Sequence, residues 1–349
     1  ERILATHNIS ATQKQKKRNK SNMNHFYDRN SALSDDSHNP MKHARFTGTP
    51  TFMRTPLVTD RADLDIALAG IAYDGAVTNR PGARHGPQAI RAASTLMRSI
   101  HHVHKFSPYD LCRIGDIGDI ELSRMYEHEH VVREIELQYQ RLVEADVMPL
   151  SAGGDHSVTY PILKALGANG PVALIHIDAH TDTWDEFSGS KFMHGTPFRR
   201  ACEDGLIDPN RTIQIGIRGA QETSEGWDYS LEQGMRVVFM EEFTALGVKQ
   251  VIDEARRLVG DHPTYISFDV DGLDPVYAPG TGTPEIGGLT TIEAMELLRG
   301  LRGLNLIGGD VVEVAPPFDP SGNTALVGAT LMYEILCLLA EAKAKAKSP

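Results

Sequence analysis

Cysteine is nearly missing from this chain. Only Cys112, Cys202 and Cys337 occur in 349 residues, far apart and with no CxxC pair. That argues against a disulfide framework and fits a reducing compartment. The cytoplasm is the expected location, with the mitochondrial matrix as the alternative. Long apolar runs are lacking as well. The nearest approach, Leu326 to Ala340, is interrupted by Glu334, so a buried C-terminal helix is expected and no membrane partner. Nor is there a surplus of positive charge. Thirty-five Lys and Arg against 46 Asp and Glu leave a formal net charge of −11, which gives nucleic acid no general attraction. With 41% hydrophobic and 23% charged residues, the composition is still that of an ordinary globular protein.

Aliphatic residues are scarce only at the start. Residues 1–50 are polar and carry a basic run at Lys14, Lys16, Lys17, Arg18 and Lys20. A solvated arm is expected there. Residues 2–27 are also basic and free of acids, as in a mitochondrial transit segment. Residues 51–345 read as one catalytic domain.

Within that domain strands and helices alternate. Strands are expected at Asp65–Tyr73, Leu111–Ile117, Val147–Ser151, Ala173 onward, Thr212–Ile217, Arg236–Met240, Thr264–Val270 and Leu304–Val314. Helices are expected at Gln88–Ser99, Glu127–Ala145, Ser157–Leu166, Thr196–Asp204, Val248–Leu258, Thr291–Leu301 and Thr324–Ala342. Alternation of this kind calls for an α/β fold whose mostly parallel sheet of about eight strands has helices on both faces. Ligands in such sheets bind outside the carboxyl ends of the strands.

The polar clusters follow the apolar runs, at those ends. ALIHIDAHTDTWD, from Ala173 to Asp185, starts as a strand buried on both faces and ends in Asp178, His180 and Asp182, spaced by two. An extended chain would put these three on one face. Neighbouring carboxylates repel and are costly to desolvate, so the arrangement calls for a cation. Asp269 and Asp271 in SFDVDGLDP repeat the spacing. Gly280 stands where a calcium loop begun at Asp269 would need its terminal Glu, which excludes an EF-hand. Gly153-Gly154-Asp155-His156-Ser157 exposes a histidine at a sharp turn, which taken alone would read as a capping or surface residue. Glu313 lies in an apolar run, where a carboxylate needs a partner: an arginine, or a cationic ligand. His194 stands in a loop before Pro197.

His156, Asp178, His180, Asp182, Asp269 and Asp271 make six candidate metal ligands with no thiolate among them. Mixed nitrogen and oxygen donors favour Mn²⁺, leave Ni²⁺, Co²⁺, Fe²⁺ or Zn²⁺ open, and disfavour a structural zinc site. Six ligands carrying four negative charges exceed the needs of one ion. Two divalent ions about 3.5 Å apart can share a water and lower its pKa, which is hydrolytic machinery.

GGDHS, HIDAHTDTWD, SFDVDGLDP, GTGTPEIGGL and DVVEVAPPFD, in this order, resemble the ureohydrolases, the family of arginases and agmatinases, with the agmatinase branch the nearer. The likeness spans roughly Thr51 to Leu338. It implies an arginase-like three-layer α/β/α fold, a di-manganese centre with Ni²⁺ as the alternative, and hydrolysis of a C–N bond in a linear amidine to give urea and an amine. Carried over by motif, His156 and Asp182 belong to the first metal and His180 and Asp271 to the second, with Asp178 and Asp269 bridging. Asp182 would also orient the nucleophile, Glu313 would grip the guanidinium through paired charge-assisted bonds, and His194 would protonate the leaving amine. A homo-oligomer, trimer or hexamer, is implied, and a hetero-oligomer with a paralogue is a further option.

The resemblance implies a small guanidino compound as substrate. Agmatine is the first expectation, with Asp185 or Glu186 receiving its distal ammonium and Trp184 lining the pocket. Guanidinobutyrate or guanidinopropionate is the alternative, with Asn79, Arg80 and Arg84 available to a carboxylate unless the arginines are structural ion-pair partners. Guanidine and biguanides remain open. A partner subunit without activity would have lost ligands, and this chain keeps all six. A deacetylase on the same fold has no cationic group for Glu313 to pair with.

Overall fold

A computed structural model describes residues 44–59 and 61–347. Of the arm expected over residues 1–50, the first 43 lie outside the described residues. In chain order the elements are β1 (Ile66–Gly70), α1 (Gly86–Ser94), α2 (Pro108–Leu111), β2 (Ile114–Asp119), α3 (His128–Glu144), β3 (Met148–Ala152), α4 (Thr159–Leu166), β4 (Val172–Ile177) and α5 (Pro197–Glu203). They continue with β5 (Ile207–Ile217), α6 (Glu225–Gln233), β6 (Arg236–Phe239), α7 (Met240–Leu246), α8 (Val248–Val259), β7 (Thr264–Asp269), α9 (Thr291–Gly300), β8 (Leu306–Val312) and α10 (Asn323–Ala346).

The eight strands form one sheet in the order β2-β1-β3-β8-β7-β4-β5-β6, and every pairing is parallel. The pleat of β4 shows how the layers arise. Ala173, Ile175 and Ile177 join a core cluster with Val251 and Val259 of α8, Leu297 of α9 and Leu336 of α10. Val172 and Leu174, on the opposite face, pack with Ile135 and Leu142 of α3 and Ile162 of α4. Alternate residues of a strand must serve opposite faces, so a strand apolar throughout fits only between two helical layers. Helix α10 is long and apolar enough to cross a bilayer by length and composition, but most of it is buried. It packs on β8, α1 and α9, as the buried C-terminal helix that Glu334 suggested.

Several boundaries differ from those expected. Helix α1 ends at Ser94, not Ser99. There the Ser94 and Thr95 hydroxyls bond back to the carbonyls of Arg91 and Ala92, which competes with continuation of the helix. The strand expected from Leu111 starts at Ile114, because Pro108 opens a short helical turn through Leu111. Helices α6 and α7 were not expected. In α6, Trp227, Tyr229 and Leu231 alternate like a strand, and the element is closed by Gly234 in the left-handed region at φ 93°.

Four adjacent strands, β3, β8, β7 and β4, occupy the middle of the sheet. The candidate ligands and Glu313 lie at or just past their carboxyl ends. Topology alone therefore brings residues from four distant segments to one place.

Candidate active site

His156 follows β3 and is buried, as are Asp178 past β4 and Asp269 at the end of β7. Its Nδ1 lies 3.1 Å from Asp178 Oδ2, 2.9 Å from Asp182 Oδ2 and 3.3 Å from Asp269 Oδ2. Its Nε2 lies 2.8 Å from Ser267 Oγ. That hydroxyl donates to Asp310 Oδ1 at 2.7 Å, so it must accept from Nε2. The tautomer that results has its lone pair on Nδ1, aimed at the three carboxylates. Nδ1 has no hydrogen-bond partner among the described residues. A second group forms beside the first, with His180 Nδ1 lying 3.4 Å from Asp178 Oδ1 and 3.2 Å from Asp271 Oδ2. Donor atoms of His156, Asp178 and Asp182, and those of Asp178, His180 and Asp271, each lie close enough together to hold an ion. The six side chains thus gather as two sets that share Asp178.

Charge in this centre is heavily frustrated. Burial, Asp271 and Asp178 push Asp269 well above the usual carboxylate range, and burial with Asp178 raises Asp271 to about 6. Burial opposes protonation of His156, yet the carboxylates around it hold its pKa well above the ordinary value. Carboxylates and imidazoles arranged so that each needs positive charge at the middle fit divalent cations. The orphaned Nδ1 of His156 and the all-N/O donor set fit them too.

One expectation needs correcting. Asp178, His180 and Asp182 do not share a strand face, because β4 ends at Ile177. A loop brings them together: Asp178 Oδ1 accepts from the His180 N–H at 2.7 Å, and Asp182 takes a left-handed conformation at φ 51°. Strain of this kind in a non-glycine residue persists only where the surroundings fix it. Glu313, at φ 63°, is the other strained site residue.

Glu313 is buried just past β8. Its Oε1 accepts from the His156 N–H and pairs with His194 Nδ1, both at 2.9 Å. Its Oε2 is buried with no partner among the described residues. Gly282 lies beside it, with a Cβ there meeting that oxygen at an ordinary contact distance of 3.6 Å, and Glu313 sits behind the cavity wall, outside its lining. His194 also meets Thr78 through Nε2, at 3.0 Å from the backbone nitrogen and 2.7 Å from the hydroxyl. Burial lowers its pKa, and Glu313 more than offsets this, to about 9.

A cavity of about 530 Å³ opens onto the centre, with Asp182, His180, Asp269, Asp271 and His194 in its wall. Asn79, Arg80 and Trp184, expected near the substrate's far end, line it, and so do Phe187, Gln221 and Glu285, which sequence reasoning did not single out. Asp185 does not line it. Its carboxylate is held by Arg200 at 2.7 Å, Lys191 at 3.3 Å and Arg199 at 3.7 Å, so the expected ammonium acceptor is committed elsewhere. Arg84 pairs with Asp74. Arg80 gives Nε and Nη2 to the carbonyls of Gly282 and Thr281, which leaves Nη1 for a ligand.

Sequence reasoning also missed the residues that hold the ligands. His176 Nε2 lies 2.7 Å from Asp178 Oδ2. Gln214, its amide fixed by the Thr181 carbonyl, reaches His176 Nδ1 at 3.2 Å, so His176 donates from Nε2 and supports Asp178. Asp310 anchors Ser267 and accepts from Thr159 and Tyr265. His176 stands two residues before Asp178, and Asp310 follows Gly308-Gly309. Each was visible only as one more polar residue in an apolar strand. A separate group, His101, His104 and Glu334, is no metal site. Arg299 takes both Glu334 oxygens, His101 Nε2 pairs with Glu334 Oε2 at 2.9 Å, and His101 Nδ1 accepts from the N–H groups of Val103 and His104, so the His101 and Glu334 donors are already committed.

A parallel α/β sheet that collects two histidines and four aspartates at its central strand ends, beneath a cavity, defines a hydrolase with a metal-binding centre. The chain belongs to the arginase family, whose profile matches residues 64–338, and is thus a ureohydrolase acting on guanidino compounds. It is 54% identical to the guanidinopropionase of Pseudomonas aeruginosa over 317 residues, covering 90% of this chain and 99% of that one. It is 48% identical to the mitochondrial agmatinase of Gallus gallus over 297 residues, covering 85% and 87%. Among solved structures, the proclavaminate amidino hydrolase from Streptomyces clavuligerus superposes with a TM-score of 0.83 at 39% identity, covering 86% of this chain and all of that one.

Proposed function

We propose that the chain is a guanidino acid hydrolase, releasing urea and an ω-amino acid from a short-chain substrate such as 3-guanidinopropionate or 4-guanidinobutyrate. One observation carries the choice over agmatine. Arg80, in the cavity wall, has no bond from Nη1 among the described residues, while of the two carboxylates expected to receive an ammonium, Asp185 is paired with Arg200 and neither it nor Glu186 lines the cavity. A carboxylate entering on the Arg80 side meets that guanidinium and the Asn79 amide, whose Nδ2 also donates to the Gly282 carbonyl at 3.0 Å, whereas an ammonium there meets the arginine's like charge; the Glu285 carboxylate in the same wall faces His180 Nε2 at 3.8 Å. The identity to a guanidinopropionase supports the same choice. Trp184 and Phe187 supply an apolar wall for the methylene chain.

In this reading His156, Asp178, His180, Asp182, Asp269 and Asp271 hold two divalent ions, Mn²⁺ or Ni²⁺, which supply an activated water and electrophilic stabilisation. The remaining work falls to side chains. Glu313 Oε2, desolvated and unpaired, accepts from the guanidinium and fixes its plane. Glu313 Oε1 orients His194, which carries the proton needed by the departing amine. Asp182 stands between the centre and the cavity, where it can orient the nucleophile.

The test is a urea-release panel over 3-guanidinopropionate, 4-guanidinobutyrate, agmatine, arginine, guanidine and metformin, run with Mn²⁺ and with Ni²⁺. A guanidino acid is expected to give the highest kcat/KM. Agmatine in first place would overturn the assignment.

A further inference from the structure

Both ring nitrogens of His194 are already occupied by protein groups. Nδ1 faces Glu313 Oε1 at 2.9 Å, and Nε2 faces Thr78. Neither nitrogen looks freely into the cavity, although the leaving amine must take its proton there. The two contacts from Thr78 differ in kind. Its backbone N–H, 3.0 Å from Nε2, can only donate, so it favours the neutral ring. Its hydroxyl, 2.7 Å from Nε2, donates to the neutral ring and accepts from the protonated one. Thr78 lines the cavity and is exposed. Its loop is pinned at that height: the His194 N–H donates to the Ala76 carbonyl at 3.0 Å, and the Ala76 N–H donates to Asp155 Oδ2 at 2.9 Å.

We propose that the Thr78 hydroxyl is a further catalytic group, relaying to the departing amine the proton that His194 supplies. The inference rests on the hydrolytic reading above. In the step, the bond from the guanidino carbon to the amine nitrogen breaks and its electron pair stays on nitrogen, while a lone pair of the oxygen already added to that carbon forms the C=O of urea and the proton of that hydroxyl passes to solvent. That nitrogen takes the hydroxyl proton of Thr78, and Oγ1 takes the Nε2 proton of His194. Imidazolium becomes imidazole, threonine ends with one proton as it began, and the amine leaves neutral. Solvent returns a proton to Nε2 through the same hydroxyl in the cavity wall. The fixed N–H of Thr78 assists by favouring the ring that has just lost its proton.

The test compares wild type with Thr78→Val, which keeps the shape and the backbone N–H, and with Thr78→Ser, which restores the hydroxyl. All are manganese-loaded and assayed on 3-guanidinopropionate and on (guanidinooxy)acetate. The second substrate has the same length, but its leaving group is a weakly basic alkoxyamine that needs little protonation. Thr78→Val is expected to lower kcat on 3-guanidinopropionate about 100-fold, within the range of general acid catalysis, with KM little changed. Thr78→Ser should recover most of the loss, and the deficit should shrink to a few-fold on (guanidinooxy)acetate. An equal deficit on both substrates means that Thr78 only shapes the site and overturns the relay, as does a Thr78→Val enzyme with unaltered kcat. If Thr78→Val does not fold, the wild-type solvent isotope effect decides: it should be larger on 3-guanidinopropionate, and equal values overturn the relay. A wild type that hydrolyses guanidino acids while Thr78→Val is normal sinks this inference alone. A wild type that hydrolyses nothing sinks the functional reading with it.

Discussion

Gly219→Ala should separate the two halves of the metal centre. Gly219 sits two residues past β5, where its own N–H and that of Arg218 both donate to the Ala179 carbonyl at 2.9 Å. The backbone there cannot yield. A Cβ at this position would lie 2.4 Å from His180 Cδ2 and 2.8 Å from Nε2. Carbon atoms settle at about 3.5–4.0 Å, so the imidazole must withdraw by about 1 Å. It has somewhere to go, because the His180 side chain is 23% exposed toward the cavity. The fold should therefore lose little, about 1 kcal/mol, at the low end for overpacking. The metal site should lose more. Ligand distances tolerate only about 0.2 Å, and His180 Nδ1 belongs to the set with Asp178 and Asp271. We expect affinity for the second ion to fall about 10–100-fold, as when ligand-orienting contacts are removed. The first ion, which His156, Asp182, Asp178 and Asp269 would hold in the proposed reading, should be unaffected. Calorimetric titration of chelator-stripped protein with Mn²⁺ would show two tight sites in wild type and one tight, one weak in the variant, with melting temperatures nearly alike. Two unchanged sites in Gly219→Ala would refute the assignment of His180 to a separable second set.

Glu313→Gln keeps the shape and removes the charge that the unpaired Oε2 offers; kcat/KM for urea release should fall at least about 100-fold while metal stoichiometry, read by elemental analysis, stays at the wild-type value. Asp185→Asn breaks the pairing with Arg200 but touches no cavity wall, so the order of substrates in the urea panel should not change, and a switch in preference would return Asp185 to the pocket. Asp65 is pushed up by burial, yet its bonds to Arg113 and Lys347 prevail and hold it below the usual range. A depressed carboxylate contributes stability that is present above the ordinary range and lost as pH falls through the folded value. Asp65→Asn should cost about 1–3 kcal/mol in urea denaturation at pH 7, and the gap to wild type should close under strong acid; a gap independent of pH contradicts the linkage.

What the sequence disclosed were local patterns. The spacing of Asp178, His180 and Asp182, the Asp269–Asp271 pair and the buried Glu313 could all be read because each motif is complete within a few residues. The alternation of strands and helices was legible for the same reason, and it fixes where strand ends lie. Contacts between distant segments were hidden. Thr78 meets His194 across 116 positions, Asp310 reaches His156 only through Ser267, and nothing near Gly219 announces the ring it must accommodate. The strand-face argument for Asp178, His180 and Asp182 reached the right grouping through the wrong geometry, since a strained loop does what the pleat was expected to do. The pairing of Asp185 was hidden because Arg199 and Arg200 reach it from α5 and Lys191 from the loop before it.

The most direct test of the account counts metal and product together. Protein stripped by chelator and reloaded stepwise with Mn²⁺ is assayed for urea and β-alanine from 3-guanidinopropionate. The account predicts equimolar urea and β-alanine, activity that rises to a plateau at two ions per chain, and loss of both activity and the second ion in Asp271→Asn. Full occupancy by two ions with no urea from any guanidino acid would contradict it, as would full activity at one ion per chain.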